Sequence, residues 1–152
     1  MQRETDRWRR YTMRFVVLAC FALVLAACTR PPDEVRIRDA IGAMQKAAEA
    51  RHADGVLDYI GDDFTGQAGE VNREGLARIL KLEFLRKDGI SVALGPITVD
   101  IDGDRAIAKF DMTLGDRSQR WLPSGTETYA VVTGWRREGS EWICYNASWS
   151  QS

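Results

Sequence analysis

A single histidine and three cysteines leave this chain short of the side chains that most often hold metals or attack substrates. His52 stands in a polar stretch and reads as an exposed turn residue. No phosphate loop, zinc-ligand spacing or nucleophile elbow is present. There is no basic run, so nucleic acid is not an expected partner. No motif calls for a cofactor or a metal. Asp100, Asp102 and Asp104 have the alternation of a calcium loop. Its sixth position, however, is Arg105 where glycine is required, and its twelfth is Asp111 rather than Glu. Asp102-Gly103 instead reads as a hairpin turn between alternating strands. No repeat, low-complexity segment or second domain is visible.

The apolar run is also too short to span a bilayer. It covers 14 residues from Phe15 to Cys28, against roughly 20 for a membrane-crossing helix, and stops at Thr29-Arg30-Pro31-Pro32. An arginine-bearing start, this run and a small-residue end make the layout of a secretory signal peptide. Leu25-Ala26-Ala27-Cys28 resembles a bacterial lipobox. That resemblance implies removal of residues 1–27, acylation of Cys28 with fatty chains such as palmitate, and a tether over 28–33. Met13 offers a second start. Thr29 after the cysteine implies sorting to the outer membrane, with the domain held on its periplasmic face.

The leader carries five arginines and two acids, which lowers the totals from 21 basic and 22 acidic residues to 16 and 20. The mature chain is thus mildly acidic and long enough for one domain with its own core, residues 34–152. Cys144 becomes its only free thiol, which excludes an internal disulfide. It reads as a small buried hydrophobe on a strand.

Asp33 suits an N-cap, and Ile37, Ala40, Ile41, Met44, Ala47 and Ala48 predict an amphipathic helix over 34–51. Asp54 opens a shorter helix carrying Val56, Leu57, Tyr59 and Ile60, ended by Gly61. Asn72 caps a third, with Leu76, Ile79, Leu80 and Phe84 on one face. After Gly89 the period changes to two. Strands are expected over Val92–Ile101 and Arg105–Leu114, then a loop from Gly115 to Gly125, then a hairpin of Thr126–Arg137 and Glu141–Ser150. Helices followed by antiparallel strands define an α+β class.

Pairing Glu138 with Glu141 sets the hairpin register. Tyr129, Val131, Thr133 and Trp135 then oppose Ser150, Ser148, Asn146 and Cys144 on one face, while Tyr145 and Trp149 fall on the other. Both faces are largely apolar or aromatic, where a sheet with one wet face would alternate more cleanly. One face is expected to meet the helices. The other, through Tyr145 and Trp149, is expected to meet a partner or second copy.

Ala53-Asp54-Gly55-Val56-Leu57-Asp58-Tyr59-Ile60-Gly61-Asp62-Asp63-Phe64 and the closing Trp135-Arg136-Arg137-Glu138-Gly139-Ser140-Glu141-Trp142 resemble the second helix and last hairpin of NTF2-like (SnoaL-like) domains. The resemblance implies three helices packed on a curved antiparallel sheet of about four strands, forming a cone with an apolar pocket. Its isomerases combine a carboxylate base with a tyrosine and a protonated acid. The matching positions here fall near Met44, Thr133 and Thr65 or Gln67, so that constellation is lacking. Asp62-Asp63 could be an acid/base pair, but reads as a solvated helix exit. Trp121 is a candidate lid or loop staple.

The resulting expectation is an anchored, non-catalytic domain. A small apolar or amphipathic ligand would sit against Tyr129, Thr133, Trp135 and Asn146, or a protein partner would bind. The alternatives are a cyclase-, dehydratase- or isomerase-type enzyme with an unidentified acid/base pair, and a structural dimer.

Overall fold

The computed structural model describes residues 31–86, 89–116 and 126–152, and the folded unit they make runs from Pro32 to Ser152. Three helices come first: α1 (Asp33–Glu49), α2 (Ala53–Leu57) and α3 (Arg73–Arg86). Seven strand segments follow or interleave: β1 (Ile60–Gly66), β2 (Val71–Asn72), β3 (Ile90–Leu94), β4 (Thr98–Asp102), β5 (Arg105–Asp116), β6 (Glu127–Glu138) and β7 (Glu141–Gln151). The sheet order is β2-β1-β7-β6-β5-β3, with β4 also on β5. All pairings are antiparallel except β1 with β7. This is the expected α+β architecture, three helices on a mostly antiparallel sheet, with seven strand segments where about four were expected because β1, β2 and the break between β3 and β4 were not foreseen.

In α1, Ile37, Ala40 and Ile41 are buried toward the sheet, and Asp33 and Glu34 in the first turn suit the positive helix end. The sequence suggested Asp33 as the N-cap, but it does not cap. Pro32 holds the N-cap position, and the Asp33 carboxylate is drawn to Arg137, Arg36 and Trp142. The helix ends when Arg51 takes a left-handed φ of 58°. His52 N–H then bonds Ala47 O at 2.8 Å and Arg51 N–H bonds Ala48 O at 3.0 Å, a Schellman closure without the usual glycine. At the start of α3, Asn72 Oδ1 accepts from Gly75 N–H at 2.8 Å, the expected cap.

Three further sequence expectations change. The second helix stops at Leu57, and Ile60–Gly66 is a strand, added parallel to β7 through pairs such as Ile60↔Cys144. Gly61-Asp62-Asp63 is poor in strand formers, so tertiary pairing overrides local preference there. The expected strand Val92–Ile101 is broken at Gly95-Pro96-Ile97, because Pro96 has no N–H to give the ladder. Its halves, β3 and β4, both pair with β5.

The third change is in the hairpin. The expected register holds from Glu138↔Glu141 to Trp135↔Cys144, then slips by one at a β-bulge on β7. Beyond it Gly134 opposes Asn146, Thr133 opposes Ala147 and Val131 opposes Trp149. Tyr145 and Asn146 therefore lie together over Gly134, where an added Cβ would meet the Tyr145 ring at 3.2 Å and Asn146 Cβ at 3.4 Å.

The core sits between α1 and the inner sheet face. Ile37, Ile41, Phe64, Ala108, Trp135 and Cys144 belong to its main cluster. Alternation along β5 is as read, with Ala106 and Ala108 buried and Ile107 and Lys109 exposed. A second cluster, Ala53, Phe84, Ile90 and Val92, closes the end where α1 and α3 finish. Among the described residues no helix is long and apolar enough to cross a membrane.

Candidate functional site

Trp135 is the largest of the fully buried side chains, 1% exposed, and forms the floor of the inner face. Its indole N–H donates to Thr133 Oγ1 at 2.8 Å, and the Thr133 hydroxyl donates to Ala108 O at 3.3 Å. Both groups are spent inside the fold. Nearby, burial pushes the Cys144 thiol up to about 12, and its S–H donates to Asn146 O at 3.3 Å. That is a structural thiol, as read, and not an activated nucleophile.

Above this floor the inner wall is apolar and less sealed. Met44 of α1, Leu80 of α3, Phe110 and Met112 of β5, and Trp149 of β7 pack on the two clusters yet stay half-buried. At the edge, Tyr129 donates its hydroxyl to Glu127 Oε2 at 2.8 Å. That bond to an anion, then burial and the Glu127 charge, with a lesser effect of Glu83 on α3, hold the phenol above its usual range. The phenol is thus neutral, a donor rather than a base.

Of the four residues expected to line a pocket together, Tyr129, Thr133 and Trp135 share the inner face. Asn146 does not. The bulge moves it to the outer side, where its Nδ2 donates to Thr65 O at 3.0 Å and Oγ1 at 3.1 Å. The slip also separates the two expected interface residues. Trp149 turns inward against Phe64 and Gly66. Tyr145 stays outside, its ring flanked by the guanidinium carbons of Arg105 at 5.2 Å and Arg136 at 5.8 Å from the centroid.

The outer side also holds a cleft of about 320 Å³, walled by Asp62, Asp63, Arg136 and Glu138 over Ile60 and Ile143. Arg136 grips Asp63 through two bonds of 2.7 and 2.8 Å and contacts Glu138 at 2.6 Å. The guanidinium holds the Asp63 carboxyl below its ordinary range, whereas a general base works best near the operating pH. Asp62 is fully exposed, 3.7 Å from Arg73. The Asp62-Asp63 pair behaves as a solvated edge, though of a strand rather than a helix exit.

Asp100 and Asp102 lie on β4 opposite Ile107 and Arg105, as the hairpin reading required. Among the described residues no group of three or more His, Cys, Asp and Glu could hold a metal. His52 is exposed. The signal segment, Cys28 and Trp121 lie outside the described residues.

Two residues to which sequence reasoning gave no structural role prove structural. Gln67 bonds Trp149 O at 2.9 Å and accepts from Trp149 N–H at 3.2 Å, so a side chain extends the β1–β7 ladder. Arg73 reaches back to Ile60 O at 3.2 Å and Leu57 O at 3.3 Å. Neither has a sequence signal, because each depends on a distant carbonyl.

A half-open apolar inner wall on a curved sheet, roofed by three helices, defines an NTF2-like cone. No protein-family model and no curated protein matches the chain. Solved structures do. An NTF2-like protein of unknown function from Pseudomonas putida KT2440 is 22% identical, with 78% of this chain and 85% of that one covered and a TM-score of 0.68. An NTF2-like protein with a cystatin-like fold from Novosphingobium aromaticivorans is 19% identical, with 88% and 87% covered and a TM-score of 0.66. A protein assigned as a scytalone dehydratase, from the same species, is 12% identical, with 79% and 84% covered and a TM-score of 0.69. At these identities the likeness establishes the cone fold alone.

Proposed function

We propose that this chain is a lipid-anchored domain of the bacterial cell envelope that binds a small apolar or amphipathic molecule in its cone without catalysing a reaction. It would hang from acylated Cys28, on the periplasmic face of the outer membrane. The observation that carries the binding reading is the half-buried wall of Met44, Leu80, Phe110, Met112 and Trp149. Apolar walls with a few polar groups at one edge are the ordinary makeup of ligand sites. Tyr129 and Glu127 are the orienting groups. Thr133 and Trp135 form the floor and Asn146 supports β1, so none of these three is assigned to the ligand.

The reading against catalysis rests on protonation. The inner-face hydroxyl of Thr133 is committed, the Tyr129 phenol is kept neutral by a pKa held above its usual range, and Asp63 is locked by Arg136. A cyclase- or dehydratase-type enzyme is the competing reading. Tyr129 with Glu127 would have to serve as its acid/base pair. A dimeric scaffold is favoured by one observation, the exposure of Ile107 and Val132 beside Tyr145 on the outer sheet face. Native mass spectrometry of the protein released in mild detergent from its own envelope separates these readings. A retained small-molecule mass, with diacyl or triacyl mass on Cys28, is the expected result. Protein that is always empty and binds no fluorescent apolar probe would overturn the ligand reading. A dimer mass would favour the scaffold.

A further inference from the structure

α3 is apolar on two sides. Leu76, Leu80 and Phe84 face the core. On the opposite side Ile79, Leu82 and Leu85 repeat at every third residue and are 42%, 59% and 80% exposed. Single exposed leucines are normal, but a stripe on one helix face is not. Arg78, Lys81 and Arg86 are interleaved with it and exposed. Glu74 is the one exposed acid on the helix, and Glu83 and Arg86 offset each other at 3.2 Å, so the net positive charge of α3 rests on Arg73, Arg78 and Lys81 against Glu74. This concentration of positive charge occurs in a mature chain with more acids than bases. An apolar stripe between long basic side chains is the pattern of helices that lie in a membrane interface, with stems buried and charges in the headgroups.

We propose that the outward face of α3 is a membrane-contact surface that lays the domain on an anionic lipid bilayer. The inference rests on the reading that Cys28 is acylated. The five residue-to-residue steps from Cys28 to Asp33 then hold the start of α1 within roughly 17 Å of the bilayer. The lipid holds the protein at the membrane, and α3 decides which side faces it. Charge complementarity favours lipid over a second copy, because two α3 faces would bring like charges together.

The test uses the full acylated protein in vesicles of phosphatidylethanolamine and phosphatidylglycerol. An environment-sensitive probe is placed at Leu85→Cys, Ser140→Cys or Ile107→Cys, and quenching by spin-labelled lipid is measured. Cys144 is buried and stays unlabelled. The Leu85 probe is expected to be quenched several-fold more than the other two, and less so in phosphatidylcholine or after joint Arg78→Gln, Lys81→Gln and Arg86→Gln substitution. Vesicle-bound protein with the Ser140 or Ile107 probe quenched most would overturn the α3 surface while leaving the anchor intact. Protein that fails to float with vesicles would overturn the anchor, and the α3 surface with it. Cross-linking between Leu85 probes of two copies would assign the face to a second copy. A Leu85 probe shielded without lipid and freed by Trp121→Ala would assign it to the 117–125 segment. Either result overturns the proposal.

Discussion

The indole N–H of Trp135 bonds the hydroxyl of Thr133, two residues back on the same strand face, at 2.8 Å. This pairing satisfies the polar atom of the largest fully buried side chain from within the fold. Thr133→Val keeps the shape but leaves the buried N–H unpaired, which costs about 1–3 kcal/mol. The urea midpoint should fall with the slope unchanged, and Thr133→Ser should restore most of the loss. Equal midpoints for threonine and valine would show that the bond contributes nothing.

A second test addresses the bulge. A methyl group at Gly134 would meet Tyr145 Cζ at 3.2 Å and Oη at 3.3 Å. The ring must then give by a few tenths of an ångström in its place beside Arg105 and Arg136. Gly134→Ala should cost roughly 1–3 kcal/mol, the usual range for overpacking. Removing the ring with Tyr145→Ala should relieve most of it, so a double-mutant cycle should show strong coupling. Additive effects would mean that the ring moves freely.

This site also marks where sequence reading reached its limit. Alternation placed Ala106 and Ala108 correctly on β5, and helical spacing placed Ile37, Ala40 and Ile41 in the core. Local turn chemistry gave the first four pairs of the hairpin. The slip beyond them had no local signature. It depends on Gly134 leaving room for Tyr145 and Asn146 from the opposite strand. That one-residue shift exchanged the faces expected for Asn146 and Trp149 and dissolved a pocket that paired Asn146 with Thr133. β1 was missed for a related reason: Gly61-Asp62-Asp63 becomes strand only because β7 offers it an edge.

Cys144 gives a chemical test of core integrity. Its thiol is pushed up to about 12, chiefly by burial, so little thiolate exists at neutral pH. In the folded protein, labelling by a maleimide should leave the Cys144 peptide unmodified for hours by mass mapping. In urea the same peptide should react within minutes. Rapid native labelling would mean that β7 opens readily or that the thiol is less enclosed than the structure shows.

The acid limb of stability is set in part at the first residue of α1. Asp33 accepts from Arg137 at 2.8 and 3.1 Å, from Trp142 Nε1 at 2.9 Å and from Arg36 at 3.2 Å. These donors, Arg137 foremost, take its pKa from 3.8 to about 2. The folded value lies below the unfolded one, so the contribution is fully present above about pH 4. It is lost as the pH falls toward 2, where the folded carboxylate also takes up a proton. Asp33→Asn removes this dependence. Urea midpoints of the two proteins should therefore differ most at pH 5 and converge by pH 2, with other carboxylates cancelling in the comparison. The Trp142 environment should change alongside, as a shift in near-ultraviolet dichroism at pH 5. If the two midpoints run parallel across this window, the ion pair at the start of α1 does not couple the helix to the β6–β7 hairpin.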